Sequence, residues 1–178
     1  MIKSVSKAEK INGIISLPGD KSISHRAMLL NSISNGSALV SNFCQGDDRN
    51  AMINCLNGLG INIQKVQLGD SIYVDDTFIV EGIGKGNLSK PEKMLDAGNS
   101  GTTFRLVSGL LATQAFESTI TGDNSLQNRP MDRIINPLAK MGAIINGVNK
   151  PSYAPVSYTH LRAHETLRYL VCRLLLEK

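Results

Sequence analysis

Lys21, Ser22 and Arg26 stand at a spacing that could hold an anion. They lie in LPGDKSISHR (17–26), where a Pro-Gly turn leads into a helical pattern. A helix start carries unpaired backbone N–H groups and the positive end of the macrodipole. That geometry binds carboxylates and phosphates. Lys21 would add a point charge, Ser22 a hydroxyl, and Arg26, one turn on, a planar fork. The same spacing also suits a plain helix capped by Ser22 or Ser24, with Lys21 and Arg26 solvated. It is not a P-loop, because GxxxxGK[ST] is absent, so nothing supports nucleotide hydrolysis. His25 is the only histidine before residue 160. It has the type of an acid–base group, and a structural histidine is the plainer reading.

A second stretch, LDAGNSGTTFRL (95–106), has the same character. Gly98 and Gly101 permit close backbone approach, while Asn99, Ser100, Thr102 and Thr103 supply neutral donors at a helix start. Arg105 follows within the helix. An ordinary N-cap with tight helix packing is the competing reading. A third stretch, GDNSLQNRPMDR (122–133), places Arg129 just before Pro130, the expected first helical residue. Its fork would project near that start, although a lone loop arginine is commonly surface. Arg133 and Arg49 read as solvated helix positions.

The elements that must position these residues alternate between strand and helix. Residues 10–19 read as a strand, 22–36 as a helix closed by Gly36, and 37–43 as a strand. Residues 47–59 read as a helix capped by Asp47 or Asp48. Its buried stripe is Ala51, Met52, Cys55, Leu56 and Leu59, and Gly60 ends it. Strands follow over 61–67, 71–75 and 77–83. A second round has a helix over 99–113, a strand over 116–122, a helix over 130–142 and a strand over 143–147. The rounds align: Ile53 falls on Ile135, Leu56 on Leu138, Gly60 on Gly142, Gly19 on Gly98 and Arg26 on Arg105. The offset of about 80 residues exceeds solenoid repeats and suggests duplicated α/β units, each burying one sheet face under helices.

The chain has 178 residues, 42% hydrophobic and 19% charged, enough for a core and too apolar for a disordered tail. It contains no apolar run of transmembrane length and no signal-peptide pattern, which sets a cytoplasmic expectation. Cys44, Cys55 and Cys172 offer neither a disulfide framework nor CxxC spacing. The net charge is +4, and half of it sits in residues 157–178. With no Trp and four each of Tyr and Phe, base-stacking platforms are scarce and no nucleic acid is expected. Residues 157–178, SYTHLRAHETLRYLVCRLLLEK, shift abruptly to Leu and Arg. A native amphipathic helix is one reading. The favoured one is a foreign tail resembling translated sequencing adapter. His160 and His164 stand at metal-binding spacing, but no third ligand is apparent, so no metal site is expected.

The three stretches LPGDKSISHRAMLLNSIS, LDAGNSGTTFRL and GDNSLQNRPMDRIINPLAKMGA, in this order and at these separations, resemble 5-enolpyruvylshikimate-3-phosphate synthase. The resemblance covers essentially residues 8–156. It implies an α/β fold made of repeated units of an enolpyruvyltransferase-type domain, an inside-out α/β barrel. The domain would be incomplete here, with units over about 10–83 and 95–156. It also implies transfer of the enolpyruvyl group from phosphoenolpyruvate to the 5-hydroxyl of shikimate 3-phosphate, with no cofactor, in a monomeric parent enzyme. Lys21, Ser22 and Arg26 would hold shikimate 3-phosphate. Lys21, Asn99, Gly101 and Arg129 would hold phosphoenolpyruvate. The family's Ser-Ser-Gln loop and its second domain, with the acid–base groups, find no counterpart, so this length of chain is expected to be inactive. The alternatives are the UDP-N-acetylglucosamine enolpyruvyltransferase and a non-catalytic anion- or nucleic-acid-binding module.

Overall fold

The computed structural model of the chain describes residues 4–159 apart from 5, 8, 11, 16 and 67–75. Twelve elements run in the order α1 (Lys21–Ser32), β1 (Asn35–Val40), α2 (Asp47–Gly58), β2 (Asn62–Val66), β3 (Thr77–Ile83), β4 (Leu95–Asp96), α3 (Gly101–Leu111), β5 (Ser118–Thr121), α4 (Asn124–Gln127), α5 (Asp132–Lys140), β6 (Ile144–Gly147) and β7 (Val156–Thr159). The strands form two sheets, ordered β1-β3-β2 and β4-β5-β7-β6. The shared order is visible once β4 is set aside: β5, β7 and β6 sit as β1, β3 and β2 do. All pairings are antiparallel except β4 with β5.

Helices α1, α2 and α3 pack on one another. α1 lies on the first sheet, α3 on β5, and α2 reaches β2 of one sheet and β4 of the other. The core forms where these apolar faces meet, around the fully buried Met28, Met52, Leu56, Phe104, Val107 and Ile120. The α2 stripe read from the sequence is buried throughout. Cys44 and Cys55 are buried free thiols, filling space as small apolar residues do.

Glycines set how closely these layers approach. A Cβ at Gly82 would overlap the Asn31 and Ser34 carbonyl oxygens, so β3 passes directly over the end of α1. The turn before α1 packs on the loop after β1 in the same intimate way. A Cβ at Gly19 would overlap the Asn42 carbonyl oxygen. In the second round the turn before α3 meets the loop after β5, where a Cβ at Gly122 would overlap Leu126 and the Gly98 carbonyl oxygen. Corresponding segments touch in both rounds, which is what a duplicated unit requires.

Several expectations need correction. Among its described residues, 10–19 contains no strand. Ile14 and Ile15 are 98% and 84% exposed, because no described strand pairs with this stretch. Gly36 does not close α1, which ends at Ser32 with Ile33 as its cap. Gly36 lies within β1 at φ +94°, opposite Gly82. α2 is preceded by Gly46 with no side-chain cap, and Asp47 and Asp48 fill its first turn. Pro130 does not begin α5, which starts at Asp132. The loop before it holds the short helix α4, capped by Asp123. The strand expected over 71–75 lies outside the described residues.

The expected boundary between residues 156 and 157 falls inside β7. Tyr158 is fully buried, and its hydroxyl lies 2.6 Å from Ser108 Oγ, which itself donates to the Phe104 carbonyl at 2.7 Å. The remaining residues of the expected tail, 160–178, lie outside the described ones. Removing that hydroxyl with Tyr158→Phe should lower the unfolding free energy by about 1 kcal/mol in urea titration. An unchanged midpoint would mean that the Tyr158–Ser108 bond contributes nothing to holding β7 against α3.

Candidate anion-binding site

Asp20 caps α1 by accepting the Ile23 N–H at 2.7 Å, so Lys21 is the first helical residue. This corrects the reading that Ser22 or Ser24 forms the cap. The Ser24 hydroxyl instead accepts the Cys44 N–H at 2.9 Å, pinning the loop after β1. Lys21, Ser22 and Arg26 are exposed in the first turn and a half of α1. The Lys21 ammonium forms an ion pair with the carboxylate of Asp48, in the first turn of α2.

His25 is fully buried beneath this pair. Its Nδ1 is 2.6 Å from the Lys21 carbonyl oxygen and its Nε2 is 3.2 Å from the Asp48 carbonyl oxygen. Thr103 Oγ1, from α3, also reaches the Asp48 carbonyl, at 3.5 Å. The starts of α1, α2 and α3 are thus joined at Asp48. Burial holds the His25 pKa below the ordinary histidine value. The Lys21 carbonyl contact acts in the opposite direction, and the Lys21 charge lowers it further.

At the second stretch, Ser100 caps α3 by accepting the Thr103 N–H at 3.2 Å. Arg129 is tied across the mouth of this helix: one guanidinium nitrogen lies 2.6 Å from Asn99 Oδ1 and 2.9 Å from Ser125 Oγ. Asn99 in turn donates to Asp123 Oδ2 at 2.6 Å. That bond, with the Leu126 N–H, holds the Asp123 carboxyl below its ordinary pKa. A Cβ on Gly101 would stand 3.1 Å from an Arg105 guanidinium nitrogen and 3.8 Å from one of Arg129. Two guanidiniums therefore flank a bare glycine at a helix start, an arrangement suited to a carboxylate or phosphate.

Of the residues expected to act, Lys21, Ser22 and Arg26 gather at one helix start. Asn99, Gly101 and Arg129 gather at another, and the start of α2 lies against both. Arg129 reaches its place from the end of α4, through an Arg129 N–H bond to the Leu126 carbonyl at 3.0 Å, rather than from the start of α5. Sequence reasoning assigned no site role to Asp48, whose partners are remote in sequence. It noted Arg105 only as following in the helix; its i+4 spacing from Gly101 was the available signal. Arg49 is not solvated. It pairs with Asp76 at 2.7 Å and lies over the Phe78 ring. Arg133 is exposed, as expected.

A cavity of about 720 Å³ opens between α2 and residues 89–98. Asp47, Glu92 and Asp96 line it together with Lys90 and Lys93. Three carboxylates make it poorly suited to an acidic ligand, so the helix starts are the better candidates. Among the described residues no cluster of three or more His, Cys, Asp or Glu could hold a metal ion, and no helix is long and apolar enough to cross a membrane.

Fold and site define an α/β protein of repeated units whose helix starts have the geometry suited to small anions. Comparison with known proteins gives this class a family. The model of EPSP synthase (3-phosphoshikimate 1-carboxyvinyltransferase) matches residues 5–168, and the chain belongs to that family. It is 49% identical over 151 residues to the 3-phosphoshikimate 1-carboxyvinyltransferase of Alkaliphilus metalliredigens, covering 85% of this chain and 34% of the relative. It is 44% identical over 153 residues to that of Petrotoga mobilis, covering 86% and 34%. The solved EPSP synthase of Acinetobacter baumannii superposes with a TM-score of 0.75 at 38% identity, over 83% of this chain and 32% of that one. The chain therefore spans about a third of the length of its relatives.

The buried imidazole makes stability depend on pH. Because the folded-state pKa lies below the unfolded one, the unfolded chain binds the proton more readily. The His25 contribution is then complete above about pH 6.5 and is lost as pH falls through the folded-state value. Urea titrations between pH 7.5 and 5 should show this loss, and His25→Gln should flatten it. An equal slope in the variant would contradict the assignment.

Proposed function

We propose that this chain is the phosphate- and carboxylate-gripping part of a 3-phosphoshikimate 1-carboxyvinyltransferase. The carrying observation is the pair of cationic helix starts, at Lys21 and at Gly101–Arg129, both packed against the start of α2. Family membership over residues 5–168 supplies the reaction. Both substrates are anions, so two neighbouring cradles suit them.

Lys21, Ser22 and Arg26 would grip shikimate 3-phosphate. Asn99, Gly101 and Arg129 would grip phosphoenolpyruvate, with Lys21 reaching both. The 5-hydroxyl oxygen adds to C2 of phosphoenolpyruvate while C3 gains a proton, giving a tetrahedral ketal. The C2–O bond to phosphate then breaks, and C3 returns a proton. Positioned cations offset the negative charge on the departing phosphate, and fixed helix starts need little reorganisation to do so. Among the described residues the carboxylates beside the cradles, Asp48 and Asp123, are already engaged, by Lys21 and by Asn99. We therefore assign those groups to the part of the enzyme beyond this chain, which binds without turning over. The parent enzyme is read as a cytoplasmic monomer, as the resemblance implies.

Calorimetric titration of the 178-residue chain should detect shikimate 3-phosphate and not UDP-N-acetylglucosamine. Lys21→Ala should weaken shikimate 3-phosphate by roughly 10- to 100-fold, the worth of a charge-assisted contact. Arg129→Ala should weaken phosphoenolpyruvate and spare shikimate 3-phosphate. Preference for the nucleotide sugar, or uptake unchanged by both substitutions, would overturn the reading.

A further inference from the structure

His25 has an unmet demand. Its two ring nitrogens face two backbone carbonyl oxygens, of Lys21 at 2.6 Å and of Asp48 at 3.2 Å. Carbonyl oxygens only accept. A neutral imidazole has one N–H, so it can donate to one carbonyl and must turn a lone pair toward the other. Only the imidazolium can donate to both. The ring is fully buried, with Phe43 beside it at a centroid distance of 6.5 Å, so water does not relieve the mismatch.

The charged residues bordering the ring are Lys21 on its own helix and Asp48 on α2, paired with each other. From α3 comes the neutral Thr103, which shares the Asp48 carbonyl, and from the loop after β1 the Phe43 ring. Lys21 is therefore the positive charge that opposes a second one on His25. An anion seated on Lys21 would offset that charge. It would also compete with Asp48 for the ammonium and leave the Asp48 carboxylate to favour a cation nearby.

We propose that His25 takes up a proton when an anion fills the cradle at the start of α1, and that the imidazolium then ties α1 to α2 through both carbonyls. His25 is in this account a positioning residue, acting through Lys21 and Asp48 rather than on the substrate. The proposal rests on the reading of Lys21 as an anion ligand. Its thermodynamic consequence is reciprocal: the proton tightens anion binding as much as the anion tightens proton binding.

Calorimetry on the full chain at pH 7, in two buffers of different ionisation enthalpy, counts the protons exchanged. Two probes are used: sulfate, which does not titrate in this range, and shikimate 3-phosphate. Net uptake of a fraction of a proton per sulfate is expected, and His25→Gln should abolish it. For shikimate 3-phosphate, whose own phosphate titrates, the difference between parent chain and variant carries the same signal. A measurement on the unmodified chain guards against misfolding of the variant. The imidazole NMR titration of His25 should move up by roughly one pH unit when sulfate is added. Identical proton counts in parent and variant, or a His25 titration indifferent to sulfate, would overturn the proposal. Shikimate 3-phosphate binding no better than sulfate, with the proton linkage intact, would instead sink the substrate reading alone. Binding of neither anion would overturn both.

Discussion

Three helix starts meet at Asp48, and that meeting creates an electrostatic problem. Each start carries partial positive charge and N–H groups without intrahelical partners. Bringing them together is unfavourable unless negative charge lies among them. Asp48 supplies it twice over: its carboxylate pairs with Lys21, and its main-chain carbonyl faces His25 and Thr103. Asp47, beside it in the first turn of α2, adds a second carboxylate. The same convergence that requires an acidic residue is the physical basis for proposing an acidic ligand there. The fold gathers the three helix starts and sets the Asp48 carboxylate among them.

Glycine makes that convergence sterically possible. Gly19 and Gly122 let the turns before α1 and α3 press against the loops after β1 and β5 without side chains between them. Gly101 leaves room for the Arg105 and Arg129 guanidiniums to stand over a bare helix start. The duplicated unit therefore repeats a way of bringing backbone and cation together as well as a shape. The two copies have diverged in the cation. The first uses Lys21, on the helix itself. The second recruits Arg129 from a later segment and holds it with Asn99 and Ser125.

Local pattern told much of this in advance. Gly60, the apolar stripe of α2 and the strand over 77–83 depend on period and turn chemistry, so they were legible from sequence. The glycine turns entering α1 and α3 were legible too, on local grounds, and they set Lys21, Asn99 and Gly101 at helix starts; Arg129 arrives instead from the end of α4, which its place before Pro130 did not show. Features that depend on remote partners were not legible. Asp48 looked like a cap, since nothing near it in sequence reveals Lys21, His25 and Thr103. Arg49 looked solvated because Asp76 and Phe78 lie well along the chain. Residues 10–19 have strand composition, yet composition cannot supply a pairing edge. Gly36 looked like a helix stop, but it lies inside β1 at a positive φ, opposite Gly82.

Amide chemical-shift mapping tests the central claim most directly. Titrating the chain with shikimate 3-phosphate should move resonances of residues 20–26 and of Asp48 most, as the Lys21–Asp48 pair gives way to a Lys21–ligand pair. Shifts confined to the cavity lined by Lys90 and Lys93, with Asp48 silent, would contradict it.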